Sequence, residues 1–359
     1  MRRLHEFGCH LMVAKHPVGE VLRYARLLDS LGFDHLKVGD HTLTPQVGAE
    51  YPNSQALLST IGAITKRIRI STAVTDPFRR HPAEIAQWIA TEDRLTGGRV
   101  ALGIGAGEKM NLEPFGIKYE RPVRRLREAV EVIKLLWQAS AEHPVSYHGD
   151  IFTLAEAYLQ FSPFQKPRPP IYVGALGTKT RELAGEVADG WVTTLSEPPS
   201  MLRTHLADVR RGAKKAGKKM EELEIVGAVY TEVTDDRESA LRRMEPVVRS
   251  GLVMERDALK RYAEIDVPDE LTIHGLVLGD EASRKLERVA ASIPQELVER
   301  MTEETTALGS ADECIGKIER FLDAGATTMV ICNVSRSQEK SFRAYAKTII
   351  PYLKSEYGE

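Results

Sequence analysis

Short apolar runs rich in β-branched residues alternate along the chain with longer segments whose apolar positions recur every three or four residues. The first pattern predicts buried strands, and the second predicts helices that lay one apolar face on them. Strands are expected near Phe7–Met12, His35–Val38, Ile68–Val74, Val100–Ile104, Ile171–Val173, Gly190–Thr193, Glu224–Val233 and Thr328–Asn333. Helices fall between them, such as Val18–Leu31, stopped by Gly32, and Pro82–Leu95, opened by proline and stopped by Gly97-Gly98. Proline at a helix start and glycine just past its end are the placements each tolerates best. Strict alternation of strand and helix means parallel strands with crossover helices, and eight such strands close a barrel. Leu31-Gly-Phe-Asp-His-Leu-Lys-Val, Gly97-Gly-Arg-Val-Ala-Leu-Gly-Ile and Ala324-Gly-Ala-Thr-Thr-Met-Val-Ile share one layout of helix end, glycine and strand, as one unit used repeatedly would.

The expected fold class is therefore α/β, a (β/α)8 TIM barrel with helical insertions, forming a single domain over residues 1–359. Residues 105–120 and 138–170 read as long loops, which in a compact barrel are functional or inserted. Residues 235–308 are charged and helix-patterned without a convincing barrel strand. They read as a helical insertion before the last strand, placed to cover the barrel mouth. Gln165-Lys-Pro-Arg-Pro-Pro reads as a rigid lead-in to the fifth strand, because proline fits a strand's first position and not its middle.

Composition narrows the partners. The balance of 49 Lys+Arg against 51 Asp+Glu supplies no broad positive field for a phosphate backbone, so nucleic acid is not expected. No stretch approaches the roughly 18–20 apolar residues that span a bilayer, so no membrane role is expected either. Cys9, Cys314 and Cys332 are too scattered for a disulfide framework or a metal knuckle, and a reducing cytoplasm fits. No His/Asp/Glu set combines zinc-site spacing with a third ligand, and Gly-x-Ser-x-Gly is missing, so neither metal nor serine-nucleophile chemistry is indicated.

Barrels of this kind carry their chemistry at the C-terminal ends of the strands. Three ends stand out: Gly39-Asp40-His41, Thr72-Ala73-Val74-Thr75-Asp76-Pro77 and Gly103-Ile104-Gly105-Ala106-Gly107-Glu108. Asp40 and His41 pair a carboxylate with an imidazole, and either can shuttle a proton; equally, Asp40 caps a turn and His41 sits on a polar rim. Glu108 ends a run of small residues that lets backbone approach a flat ligand. That run is neither a Rossmann fingerprint nor a P-loop, and a glycine turn with a solvated Glu is an equal reading. Val173-Gly-Ala-Leu-Gly-Thr-Lys-Thr180 passes from strand into helix, so amides near Gly177 suit a phosphate, or form an ordinary loop. Arg79, Arg80 and His81 read as rim residues, and Trp88 and Trp137 as core.

The chain resembles the luciferase-like family of barrel oxidoreductases, more narrowly its deazaflavin-dependent branch, which uses coenzyme F420. The resemblance rests on Gly39-Asp-His, Phe78-Arg-Arg-His-Pro-Ala-Glu-Ile-Ala-Gln, Gly97-Gly-Arg-Val-Ala-Leu-Gly-Ile-Gly-Ala-Gly-Glu with Asn111 and Pro114-Phe-Gly, and Arg121-Pro with Leu126-Arg-Glu-Ala. Pro170-Ile-Tyr-Val-Gly-Ala with Ala188-Asp-Gly-Trp, and Gly309-Ser-Ala-Asp-Glu-Cys with Phe321-Leu-Asp-Ala-Gly-Ala, complete it. It implies a bacterial-luciferase-like barrel and F420-dependent hydride transfer to or from an alcohol, ketone or methylene-pterin. It implies His41, Glu108 and Asp40 as catalytic residues. It also implies a non-proline cis peptide at Thr72-Ala73, and Thr72, Ala73, Val74, Thr75, Gly107, Asn111, Gly174, Ala175, Gly177 and Thr178 as cofactor-binding positions. Glu108 would meet the pyrimidine edge of the deazaflavin, and Gly174, Ala175, Gly177 and Thr178 the phosphate of its tail. Asp76 departs from the pattern and adds a negative charge near the mouth, which favours a neutral substrate.

Rival readings stay open at this stage. An FMN-dependent monooxygenase of the same superfamily would share the barrel, although Glu108 beside Asn111 favours the deazaflavin. A non-catalytic ligand-binding barrel would not need both His41 and Glu108. A two-carboxylate hydrolase using Asp40 and Glu108 would want sugar-stacking aromatics that are scarce here. A small-molecule substrate and a homodimer or higher homo-oligomer are expected.

Overall fold

The computed structural model describes residues 3–45 and 49–358. Its strands are β1 Glu6–Leu11, β2 His35–Val38, β3 Arg69–Thr72, β4 Val100–Gly105, β5 Val145–His148, β6 Thr153–Ala157, β7 Ile171–Gly174, β8 Gly190–Val192, β9 Glu224–Val233, β10 Thr306–Gly309 and β11 Thr328–Asn333. Pairing runs β9-β11-β1-β2-β3-β4-β7-β8 and returns from β8 to β9, so eight parallel strands close a barrel. Around it lie α1 Val18–Leu31, α2 Ser54–Ile64, α3 Pro82–Thr96, α4 Pro122–Gln138, α5 Thr178–Val187, α6 Pro199–Lys215, α7 Arg237–Met254, α8 Asp257–Ala263, α9 Asp280–Ser292, α10 Gln295–Thr305, α11 Ala311–Ala324, α12 Gln338–Ala344 and α13 Ile350–Tyr357. The chain thus has the (β/α)8 architecture. No helix among the described residues is long and apolar enough to cross a membrane.

The elements form where local chemistry favours them. Helix α3 opens on Pro82, with the His81 ring accepting the Ala83 amide at 3.1 Å, and stops at Gly97 in the left-handed region at φ 64°. A side chain there would crowd its own backbone. Helix α11 opens on a reciprocal Ser310–Glu313 capping box, which satisfies two amides the helix leaves unpaired.

Two stretches differ from the loop pattern. Residues 138–170 contain an antiparallel hairpin, β5 with β6. Its turn is gathered by the buried Glu128 carboxylate of α4, which accepts the amides of Asp150, Ile151 and Phe152 at 3.0, 2.9 and 3.1 Å. Between β9 and β11 lie α7 to α10, α11 and the short β10, which pairs with Tyr230–Val233 of β9 outside the closed ring.

Alternation on β2 divides the barrel. Leu36 and Val38 face outward into the apolar layer beneath the helices, with Ile70, Leu102 and Ile331. His35 and Lys37 point to the axis, where Lys37 lies over the Tyr172 ring of β7, 5.1 Å from its centroid. Ser71 bridges them, 3.0 Å from His35 Nε2 and 3.3 Å from Lys37 Nζ. Burial lowers His35 to about 3 and Lys37 to about 8. Ala101, Val226 and Val330 pack with Tyr172 in an apolar cluster of their own.

At the mouth the barrel narrows around one side chain. A Cβ built on Gly103, Gly105 or Gly174 would fall 3.2, 2.7 or 3.0 Å from a Val74 methyl, and on Gly103 it would also lie 2.0 Å from the Thr72 carbonyl oxygen. Backbone cannot yield as a side chain can. Gly103→Ala is therefore expected to lower stability by about 2–3 kcal/mol through overpacking. Gly19→Ala in α1, where an added methyl meets nothing within 4 Å, is expected to raise stability by about 0.5 kcal/mol. Thermal unfolding of the two variants beside the wild type checks both signs.

Candidate active site

Strand β2 delivers Asp40 and His41 to the mouth. Gly39 precedes them because the Tyr51 hydroxyl lies 2.0 Å from where its Cβ would stand. Asp40 is buried, and its Oδ2 accepts the Thr75 hydroxyl at 2.6 Å, Arg79 Nη2 at 3.0 Å and Arg80 Nη1 at 2.7 Å. Burial alone would raise its pKa, but the two guanidiniums outweigh that and hold it below the usual carboxylate range. Asp40 is thereby held as a carboxylate committed to Thr75, Arg79 and Arg80.

Arg79 and Arg80 are not rim residues: their side chains are 12% and 10% exposed. Arg79 also donates to Asp76 Oδ2 at 2.6 Å and to the Asp40 carbonyl at 2.7 Å. Asp76 Oδ1 in turn accepts the amides of Phe78 and Arg79. The charge of Asp76 is thus matched within its own loop, which removes the reason for expecting it to repel an anionic substrate.

Strand β3 ends at Thr72, whose hydroxyl donates to the Gly103 carbonyl at 2.6 Å and accepts the Gly103 amide at 3.0 Å. The non-proline cis peptide lies between Ala73 and Val74, one bond later than expected. Ala73 and Val74 interrupt the ladder, and pairing with β4 resumes at Thr75 opposite Ile104. Two of the expected cofactor side chains, those of Thr72 and Thr75, are committed to Gly103 and Asp40, and the Thr75 amide and carbonyl are themselves paired with the Gly103 carbonyl and the Gly105 amide.

Strand β4 leads through Ala106 and Gly107 to Glu108. The Asn111 Oδ1 accepts two backbone amides, Thr42 at 2.6 Å and Leu43 at 2.8 Å, which fixes its amide orientation. Its Nδ2 therefore faces Glu108 Oε2 at 2.9 Å and His41 Nδ1 at 3.1 Å. His41 Nδ1 and Glu108 Oε2 are 3.2 Å apart. Neutral His41 accepts from Asn111 at Nδ1, and protonated His41 donates to Glu108 there, so the cluster accommodates either state. Burial works against the charge on His41, but Glu108 reverses this and raises its pKa. Burial likewise works against the Glu108 charge, and His41 leads the groups that lower it.

Gly174 and Ala175 end β7, and Gly177 is the N-cap of α5 without a side-chain cap bond. Trp191 Nε1 donates to the Ala175 carbonyl at 2.9 Å. The uncapped first turn at Thr178 is the kind of helix end that accepts an anion.

Four groups at the mouth carried no motif in the sequence. His10 at the end of β1 is lowered to about 4, by burial first and then by His41 and Lys37. Tyr51 sits edge-on to the His41 ring at 5.1 Å. His274 Nδ1 and the Tyr119 hydroxyl both reach the Gly107 carbonyl at 3.2 Å. His274 lies in the stretch between β9 and β11, where nothing but three-dimensional packing signals its place. A cavity of about 370 Å³ opens beside Lys109 and Gly177, walled by that stretch and by α6. Among the described residues, no group of three or more His, Cys, Asp or Glu is placed to hold a metal ion.

A family described as luciferase-like monooxygenase matches residues 4–328. An F420-dependent glucose-6-phosphate dehydrogenase of Microbacterium testaceum is 30% identical, over 98% of both chains. A 5,10-methylenetetrahydromethanopterin reductase of Archaeoglobus fulgidus is 32% identical, over 93% of this chain and 96% of that one. The solved structure of an F420-dependent secondary alcohol dehydrogenase in complex with an F420-acetone adduct superposes with a TM-score of 0.79, at 28% identity, over 98% of this chain and 99% of the other.

The His41–Glu108 pair carries a pH signature. Glu108, lowered, contributes stability that is present above its ordinary value of 4.5 and is lost as pH falls through its folded value. His41, raised, contributes stability that is present below its ordinary value of 6.5 and is lost as pH rises through its folded value. Both contributions are full between those ordinary values. A proton NMR titration should place His41 above 6.5 in the wild type and lower in Glu108→Gln; an unchanged midpoint in the variant would remove Glu108 as the cause.

Proposed function

The chain belongs to the luciferase-like monooxygenase family, and from that premise we propose that it is a coenzyme F420-dependent oxidoreductase acting on an alcohol, ketone or methylene-pterin. The observation that carries the reading is the placement of the His41–Glu108–Asn111 cluster on strand ends neighbouring a glycine-lined cradle around Val74. When bound, the deazaflavin supplies a carbon that carries a hydride.

The residues present fit that group. The interrupted ladder at Ala73 and Val74, with Gly103, Gly105 and Gly174 bare beside it, would back a flat ring. Gly107 and Asn111 would hold the loop against its edge, with Glu108 meeting the pyrimidine side. Gly174, Ala175, Gly177 and Thr178 would hold the tail phosphate at the uncapped end of α5. His41 is the group that takes or returns the substrate's proton. Its pairing with Glu108 stabilises the imidazolium and its bond from Asn111 stabilises the neutral ring, so both halves of a proton exchange find a partner.

Asp40 acts as a positioning residue, holding Arg79 and Arg80 and through them the loop that follows β3. The helical stretch between β9 and β11 is an insertion that covers the mouth, as the approach of His274 to Gly107 supports. The oxygen-using alternative with FMN has less behind it, because a relative at 30% identity and a solved structure at 28%, each over nearly the whole chain, are named for F420.

Fluorescence titration of the protein with coenzyme F420 and, separately, with FMN is expected to give saturable binding of the deazaflavin alone. Tight binding of FMN alone would move the chain to the oxygen-using branch. Once a substrate is found, His41→Ala is expected to reduce kcat by about 10²–10⁴-fold while F420 affinity changes by only a few-fold. Undiminished turnover in that variant would end the proton-transfer role of His41.

A further inference from the structure

The cavity beside Lys109 and Gly177 has a wall chemistry of its own. Met201, Met254 and Ile273 make it apolar, and the carboxyl side chains of Glu197 and Glu255 enter it from different elements. Glu197 is already matched, with Oε1 2.6 Å from His205 Nδ1. Glu255, the C-cap of α7, has no charged partner: it accepts the hydroxyls of Thr194, at 2.7 Å on Oε2, and Ser196, and no Lys or Arg is among the groups acting on it. The two cations on the same wall are committed elsewhere, Arg256 to Asp269 and Lys109 to Glu113. Burial, followed among the neighbours by Glu197 and Asp257, pushes the Glu255 carboxyl up to about 8, while Thr194 offsets only part of this.

A carboxyl in that position is short of one thing, a positive or strongly donating neighbour. We propose that this cavity receives the far end of the substrate, and that Glu255 selects groups bearing N–H donors, an amine or an amidine-like nitrogen pair, against a phosphate ester. The proposal rests on the oxidoreductase reading only for the word substrate.

Two N–H groups side by side match the two oxygens of a carboxylate, and the bond is strengthened where one partner is charged. The methionines and Ile273 give the ligand's hydrocarbon body a surface on which to shed water. A phosphate dianion would leave Glu255 protonated and bring a second negative charge beside Glu197 in a wall of low dielectric, where like charges repel strongly. The helix end at Gly177 does not relieve this, because on the reading above it holds the cofactor's own phosphate. The same wall that suits an amine therefore sets this chain apart from a relative named for glucose 6-phosphate.

The test uses three probes with the same ring: benzamidine, benzamide and phenyl phosphate, titrated by calorimetry into the full-length protein saturated with coenzyme F420. The expected order of affinity is benzamidine, then benzamide, then phenyl phosphate. Glu255→Gln keeps the shape and removes the ability to ionise against a bound cation, so it should weaken benzamidine by at least about tenfold and change benzamide by less than about threefold. F420 affinity, followed by its own fluorescence, should not move in this variant. Phenyl phosphate binding as tightly as benzamidine, no binding of benzamidine, or an unchanged benzamidine affinity in Glu255→Gln would each overturn the proposal. Should F420 itself fail to bind, the oxidoreductase reading falls, and the same three titrations into the protein without F420 still decide the role of Glu255.

Discussion

A carboxylate buried between strand ends has to be matched by positive charge, and Asp40 imposes that condition on the mouth of this barrel. Two guanidiniums and a hydroxyl converge on one of its oxygens. All three come from the loop and turn after β3, so that loop has to fold back over the end of β2. Arg79 is itself aligned by Asp76, which in turn fixes the amides of Phe78 and Arg79. Removing one member would leave a buried charge uncompensated, at a cost of about 3–5 kcal/mol. What this knot holds in place is the neighbouring residue: His41 follows Asp40, and Asn111 seizes the next two amides, tying the loops after β2 and β4 together.

This dependence explains what the sequence disclosed and what it withheld. All eight barrel strands are legible, because each is a short apolar run between glycine-marked loops, and β2 and Glu224–Val233 match to the residue. The hairpin β5–β6 is not legible: Val145–His148 alternates half-buried with exposed positions and Thr153–Ala157 buries only Leu154, and what gathers them is a glutamate of another helix. Strand β10 is four residues, Thr-Ala-Leu-Gly, and its β-structure comes from lying beside the tail of β9. His41, Glu108 and Asn111 could be singled out because their strand ends are marked by motifs. Arg79 and Arg80 read as rim in the sequence because a two-arginine run looks like solvated surface unless the buried carboxylate facing it is known. His274 and Glu255 lie in charged, helix-patterned sequence without any local mark.

The barrel interior adds a second constraint. Strands β2, β3, β7 and β9 bring His35, Lys37, Ser71, Tyr172 and Glu224 to the axis, where Tyr172 donates to Glu224 at 2.9 Å. Buried polar groups of this kind hold their place only when partnered. Tyr172 meets both demands, with its hydroxyl on Glu224 and its ring under Lys37. Farther up, polarity gives way to bare glycines around Val74. The axis thus combines these charged groups with an apolar plug of Ala101, Val226 and Val330, and at the mouth it ends in a narrow glycine cradle filled by Val74. Depth in the barrel fixes which residues are free to meet a ligand.

The site also divides by origin. Its His41–Glu108–Asn111 cluster sits on loops after β2 and β4, and its glycine cradle on β4 and β7, all part of the repeating barrel. The cavity wall that reaches Glu255, Ile273 and His274 comes from the stretch between β9 and β11, which no barrel strand constrains. Changes in that stretch leave the Asp40 knot and the Val74 cradle untouched, because neither draws on it. A chain built this way can exchange the group it recognises while keeping the chemistry it performs. Relatives near 30% identity over almost the full length are named for a sugar phosphate and for a methylene-pterin, a spread that such a division permits. Two contacts join the parts next to Glu108: His274 of that stretch meets the Gly107 carbonyl, which Tyr119 also reaches, and Met110 packs into the apolar cluster of the same stretch.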